Sequence, residues 1–214
     1  MTIRLEKLIP LPMLEQDTSG SEIWEVESVR LEQGKFHIIE APSGKGKTSL
    51  LSVIYGIRTD YRGKAFLDER DLASFSLKEW SSVRKNQLSF IFQGLELFED
   101  LTAMDNIRLK NRITGYHTEE RIVEMARILG IEPFMHRKAG ILSFGQQQRV
   151  AIIRALCQPF HFLLADECFS HMDRENSLTA YQLIKEECRA RDAGLILTSL
   201  NETAFSQADI RLRL

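Results

Sequence analysis

The octet Ala41-Pro42-Ser43-Gly44-Lys45-Gly46-Lys47-Thr48 stands between two apolar runs, 35–40 (KFHIIE) before it and 48–57 (TSLLSVIYGI) after it. It matches the phosphate-loop pattern G-x-x-x-x-G-K-[ST] at every position but the first, where Ala41 stands for glycine. The flanking runs read as a β-strand feeding a buried helix, the context that pattern needs. Successive backbone N–H groups and a helix N-terminus make a cradle for anions. The candidate cradle residues are Pro42, Ser43, Gly44, Lys45, Gly46, Lys47, Thr48 and Ser49. Lys47 would bring a point charge to the β and γ phosphates, and the Thr48 hydroxyl would ligate Mg²⁺. If the first position needs a positive φ, Ala41 costs on the order of 1 kcal/mol relative to glycine.

A second motif completes the chemistry. His161-Phe162-Leu163-Leu164-Ala165-Asp166-Glu167 is an apolar strand that ends in two carboxylates. Such a strand end is where a residue that holds Mg²⁺ is found, and Asp166 takes that role. Glu167, one residue further, is the candidate general base that polarises an attacking water.

Outward from these motifs, strand and helix patterns alternate. Runs 61–68 and 88–93 read as strands. Ser76 with Glu79 three residues on is a capping box for a helix through about Arg84. From about 101 to 129 the pattern is helical, with Ile122, Met125, Ala126 and Leu129 on one face and Gly130 at the stop. Residues 150–157 and 174–191 read as helices, and 194–199 (GLILTS) as a strand. This alternation predicts an α/β fold with a largely parallel, doubly covered sheet. The helical middle, about 94–142, reads as an insertion between core segments of about 1–93 and 143–214.

Composition narrows the class. The chain has 214 residues, 30 acidic against 28 basic, a formal charge of −2, and 43% hydrophobic and 27% charged residues. That is the profile of a globular protein with a real core. The near-neutral balance argues against nucleic acid held by broad electrostatics. No apolar run reaches the roughly 18 residues of a membrane span. The N-terminal stretch carries Arg4, Glu6 and Lys7 and lacks a signal-peptide pattern. Three cysteines, Cys157, Cys168 and Cys188, show neither close spacing nor an even count, as expected for reduced thiols in the cytoplasm.

Between the two motifs lies Leu142-Ser143-Phe144-Gly145-Gln146, followed by Gln147 to Leu156. This resembles the signature LSGGQ and its helix in ATP-binding cassette (ABC) proteins, nearest in look to transporter ATPase subunits of the lipoprotein-releasing and macrolide-export kind. Phe92-Gln93-Gly94 and the run from Leu97 to Thr102 resemble the family's Q-loop region, and Ser170-His171-Met172-Asp173 resembles its D-loop. The gaps leave no room for a coiled-coil insertion of the chromosome-maintenance kind.

The resemblance implies a phosphate-loop ATPase core with a small antiparallel β portion and a helical subdomain. It implies ATP and Mg²⁺ as cofactors, Gln93 sensing metal and water, and a head-to-tail homodimer or heterodimer. In that dimer Ser143, Gly145 and Gln146 of one chain would face the other chain's γ-phosphate. It also implies a membrane-spanning transporter subunit as partner, and a cytoplasmic chain peripheral at the inner face of the membrane. A soluble phosphate-loop kinase would not need LSFGQ.

Three departures bear on turnover. Phe144 replaces the first signature glycine. Ser199 falls where the family has its switch histidine and is too short to copy an imidazole's reach, with Asn201 the nearest substitute by strand periodicity. No aromatic stands between 13 and 21, where the family stacks one on adenine; Trp24 is the nearest and reads as a core residue. Apart from these three, Cys168 stands where the family usually has a proline, a change that should matter less. These departures leave a poorly hydrolytic regulatory or structural module, such as the degenerate half of a heterodimer, as the alternative to a transporter ATPase.

Overall fold

A computed structural model describes residues 1–199 and 208–214. Among the described residues, nine strands form two sheets. The first is antiparallel, in the order β2-β1-β4-β5, from β1 (Thr2–Pro10), β2 (Ser28–Glu32), β4 (Tyr61–Leu67) and β5 (Arg70–Asp71). The second is wholly parallel, in the order β6-β7-β8-β3-β9. Its strands are β3 (Phe36–Glu40), β6 (Leu88–Ile91), β7 (Phe162–Asp166), β8 (Gly194–Ser199) and β9 (Ile210–Arg213). The expectation of a parallel core with a small antiparallel portion matches this architecture. Run 61–68, read as a strand, belongs to the antiparallel sheet, paired with β1. Gly63 sits in that pairing at φ 83°, where a Cβ would come within 2.2 Å of the Lys7 carbonyl oxygen, and the register shifts between Glu6 and Ile9. Glycine is required there by a β-bulge.

Period-two alternation explains why the parallel sheet is covered on both faces. Leu163, Ala165, Leu195 and Leu197 join one apolar cluster, and Phe162, Leu164 and Ile196 join the other. Each fully buried side chain of this size contributes roughly 1.5 to 3 kcal/mol. Helix α1 (Lys47–Ile54) and α2 (Leu77–Asn86) lie with the second cluster. Helices α3 (Ala103–Thr114), α4 (Glu119–Ile128), α5 (Phe144–Leu156) and α6 (Arg174–Ala190) lie with the first. The Ser76–Glu79 capping box forms as expected. The single helical stretch expected over 101–129 is two helices. Gly115 ends α3 in the left-handed conformation at φ 61°, and Thr118 caps the start of α4.

A buried ionic knot ties the α3–α4 connection to α6. Glu187 is 5% exposed and pairs with Arg191 at 2.6 Å, with His117 at 3.4 Å and with Arg121. Arg191 also donates to the Leu156 carbonyl at 3.1 Å and to the Tyr116 hydroxyl at 2.8 Å. Burial alone would raise the Glu187 pKa, but hydrogen bonds from His117 and Arg121 and the charge of Arg191 hold it at about 2. Because the folded value lies below the unfolded one, this stabilisation is present above the ordinary carboxylate range and is lost as pH falls toward 2. Glu187→Gln should cost roughly 3 kcal/mol, the low end for removing one partner of a buried pair. Urea unfolding at pH 7 should show the lower midpoint, and the gap between variant and wild type should be clearly narrower at pH 3, part of the way to its loss below the folded pKa of about 2. An equal gap at both pH values would contradict the ionic origin of the effect.

Candidate functional site

The carboxyl ends of parallel strands are where open α/β sheets bind ligands. Here β3 runs into the 41–48 loop, β7 ends on Asp166 and β8 ends on Ser199, while Gln93 follows β6 by two residues. Strand pairing sets Asp166 beside Thr198 and Glu40 beside Ser199.

The loop is built for an anion. Gly44 and Gly46 take φ values of 83° and 93°, which side chains disfavour. Ala41 is not among the residues of positive φ, so a glycine is not needed at the first position and the expected penalty does not arise. Of the six α-helices among the described residues, five carry a Ser, Thr or Asp side chain on their first-turn N–H groups. The exception is α1, which starts at Gly46 with no side-chain cap and no acidic residue in its first turn. Its N–H groups and the positive end of its dipole are therefore left for an external anion. Pro42, Ser43, Gly44 and Thr48 are exposed, Ser49 is half-buried, and Lys45 is braced by a bond from its Nζ to the Asp17 carbonyl at 2.6 Å.

Lys47 is buried, at 4% side-chain exposure, and its three N–H donors meet three oxygens. These are the carbonyls of Ala41 at 2.7 Å and Pro42 at 2.9 Å, and Glu167 Oε1 at 3.1 Å. Gln93 Nε2 donates to Glu167 Oε2 at 3.3 Å. Thr48 Oγ1 donates to Asp166 Oδ2 at 2.6 Å. Burial pushes the Asp166 carboxyl above its usual range, against hydrogen bonds from Thr198 and Thr48 that pull it down. A hydroxyl and a carboxylate side by side are hard oxygen donors, which suit Mg²⁺. The structure thus brings Lys47, Thr48, Gln93, Asp166 and Glu167 into one bonded cluster.

Ser199 reaches the same place by its backbone, its carbonyl accepting the Ala41 N–H at 3.4 Å. Asn201 lies outside the described residues. Trp24 is 6% exposed, donates from Nε1 to the Lys45 carbonyl at 3.4 Å and would sit 3.3 Å from a Cβ at Gly46. It is a buried support of the loop, as expected of a core residue. The exposed apolar side chains before it are Leu11 and Leu14.

Ser143, Gly145 and Gln146 form a second group at the start of α5. Ser143 and Gln146 cap each other, with the Ser143 N–H to Gln146 Oε1 at 3.0 Å and the Gln146 N–H to Ser143 Oγ at 3.3 Å. A Cβ on Gly145 would lie 2.9 Å from the His171 carbonyl oxygen, so close passage of the 170–173 turn requires glycine. The Phe144 ring is 44% exposed and packs edge-on against His171, with centroids 4.4 Å apart. From the other end of α5, Arg154 donates to the carbonyls of Leu95 and Glu96, consecutive residues held at φ 61° and 51°. This grip links the helix bearing Ser143 to the segment just after Gln93. Sequence patterns did not single out Arg154; a cation on an otherwise apolar helix stretch was the available signal.

Comparison with known proteins follows the same outline. The ABC transporter family model matches residues 26–170. The lipoprotein-releasing system ATP-binding protein LolD 1 of Chlorobium luteolum is 33% identical over 214 residues, spanning 96% of this chain and 86% of the relative. The dimeric structure of MJ0796, a bacterial ABC transporter cassette, superposes with a TM-score of 0.81 at 25% identity, covering 99% of this chain and 94% of that one. A post-hydrolysis dimer of the same cassette, bound to ADP and Pi, gives 0.80 at 25% identity, covering 98% and 94%.

Proposed function

The chain belongs to the ABC transporter family, and from that premise we propose that it is the ATP-binding subunit of a transporter, coupling ATP binding and hydrolysis to movement of a membrane-spanning partner. The convergence of Lys47, Thr48, Gln93, Asp166 and Glu167 on one uncapped helix N-terminus carries this reading. The relatives support it, since one is named for a lipoprotein-releasing system and another is a cassette bound to ADP and Pi.

In this reading the loop N–H groups from Ser43 to Ser49 seat the phosphates. The Lys47 ammonium exchanges Glu167 for phosphate oxygens, which releases the Glu167 carboxylate toward a water held by Gln93. Thr48, Gln93 and Asp166 would hold Mg²⁺, which supplies charge neutralisation on the β and γ phosphates. Ser143, Gly145 and Gln146 complete the site of a second chain in a head-to-tail dimer, with the α5 N-terminus aimed at its γ-phosphate. In this reading a membrane partner docks at a cavity of about 270 Å³ between β6 and α3, lined in part by Phe92, Phe98, Leu109, Ile113 and Arg154. Phe98 and Ile113 are exposed there, and the cavity adjoins Gln93 through Phe92. No helix among the described residues is long and apolar enough to cross a membrane. This fits a chain peripheral to the membrane at its cytoplasmic face.

The weakly hydrolytic alternative is favoured by Ser199 and Phe144. Ser199 stands beside the loop without an imidazole, and the Phe144 ring occupies surface at the α5 start. Loss of one positioned electrostatic partner costs on the order of 10² to 10⁴ in rate. Basal phosphate release should therefore be slow and should rise in Ser199→His. Phe144→Gly should raise it separately, by letting the signature backbone approach phosphate. A protein that binds ATP and dimerises, yet gains no turnover from either change or both, would show that the two departures are compensated.

A further inference from the structure

One buried hydroxyl touches the Asp166 carboxylate and the backbone of Glu167 beside it, and no motif points to it. Thr198 lies on β8, 1% exposed, as the strand partner of Asp166. Its Oγ1 donates to Asp166 Oδ1 at 2.7 Å and accepts the Glu167 N–H at 3.2 Å. The Ala165 carbonyl is 3.5 Å from the same oxygen. A threonine hydroxyl has one proton to give, and the shorter contact to a carboxylate takes it. Thr48 engages the other oxygen, Asp166 Oδ2, at 2.6 Å. Asp166 is thus held at both oxygens by hydroxyls from two different elements, α1 and β8.

The second bond matters for the neighbouring residue. Glu167 takes φ 45°, a left-handed conformation that a side chain adopts at a cost. Its N–H is anchored on Thr198, while its carboxylate reaches Lys47 and Gln93. The Asp166 carboxylate and the Glu167 backbone are thus referred to one fixed oxygen.

We propose that Thr198 is a positioning residue for the nucleotide site, its buried hydroxyl orienting Asp166 toward Mg²⁺ and pinning the backbone of Glu167. The inference rests on the nucleotide-site reading given above. Partners that orient a metal-holding carboxylate typically account for 10- to 100-fold in metal affinity.

The test uses the full chain and a fluorescent ATP analogue, titrated in EDTA and at stepped Mg²⁺ concentrations. Manganese binding in the presence of ATP is followed in parallel by electron paramagnetic resonance. Thr198→Val keeps the branched shape and removes the hydroxyl, while Thr198→Ser keeps the hydroxyl and removes the methyl. The Val variant should need roughly 10-fold more Mg²⁺ for half-maximal binding, with metal-free nucleotide binding unchanged. The Ser variant should stay within about 2-fold of wild type, since its donor is retained. If Val does not fold, Thr198→Ala is read the same way. A hydroxyl-free variant with wild-type Mg²⁺ dependence would overturn the proposal, as would equal shifts in the Val and Ser variants, which would mark a packing role. Wild type that shows no metal-dependent nucleotide binding would instead overturn the reading of the site itself.

Discussion

Glu167→Gln should hold the protein in an ATP-bound dimer while lowering turnover by a factor on the order of 10² to 10⁴. The substitution keeps the size of the side chain and an oxygen for the Gln93 amide, but removes the charge that would take a proton from water. It also removes the ion pair with Lys47, now at 3.1 Å, so the ammonium no longer has to leave a carboxylate to meet phosphate. Binding should therefore hold or tighten as hydrolysis slows. Light scattering should show the mass doubling on addition of Mg·ATP, persistently in the variant and transiently in wild type. Masses that stay monomeric at every ATP concentration in both proteins would count against the sandwich. Doubling only on addition of a different cassette chain would assign the heterodimer.

Lys47→Ala should weaken Mg·ATP binding about 10- to 100-fold, the worth of a charge-assisted hydrogen bond at 1.5 to 3 kcal/mol. The ammonium sits at the centre of the cradle, buried, and donates to the Ala41 and Pro42 carbonyls, which fix its position. Alanine leaves those two carbonyls and Glu167 facing the phosphate position with no cation between them. The Glu167 carboxylate then faces phosphate unneutralised, which places the loss toward the upper end of that range. Equilibrium titration with Mg·ATP reads it, and Lys47→Arg should not restore wild-type affinity. A planar guanidinium cannot reproduce a compact point charge in a closed loop.

The octet at 41–48 and the strand end at 166–167 were legible because local chain geometry and chemistry coincide there. A loop that must approach phosphate needs glycine at positive φ, and a strand that ends a buried sheet shows its carboxylates as an abrupt change of polarity. The capping residue Ser76 was legible for a similar reason, since its bond spans three residues, whereas the same pattern at Ser143 and Gln146 reads in the sequence only as a signature. What escaped is non-local. β9 pairs with β3 across more than half of the chain, and Thr198 gains its meaning only from Asp166 on another strand. A polar residue at the end of GLILTS was visible, but which carboxylate it would face depends on sheet order. The same limit left run 61–68 without an assigned sheet, because alternation of strand and helix says nothing of which partner a strand takes. The ionic knot of Glu187, Arg191, His117 and Arg121 joins three elements and left no periodic trace in the sequence.

That a single cluster of Lys47, Thr48, Asp166 and Glu167 binds Mg·ATP is decided by calorimetric titration of wild type beside Lys47→Ala. Wild type should saturate at one nucleotide per chain, more weakly when Mg²⁺ is withheld, and the variant should lose at least 10-fold in affinity. Equal affinity in the two proteins, or no saturable binding in wild type, would contradict a phosphate loop at 41–48.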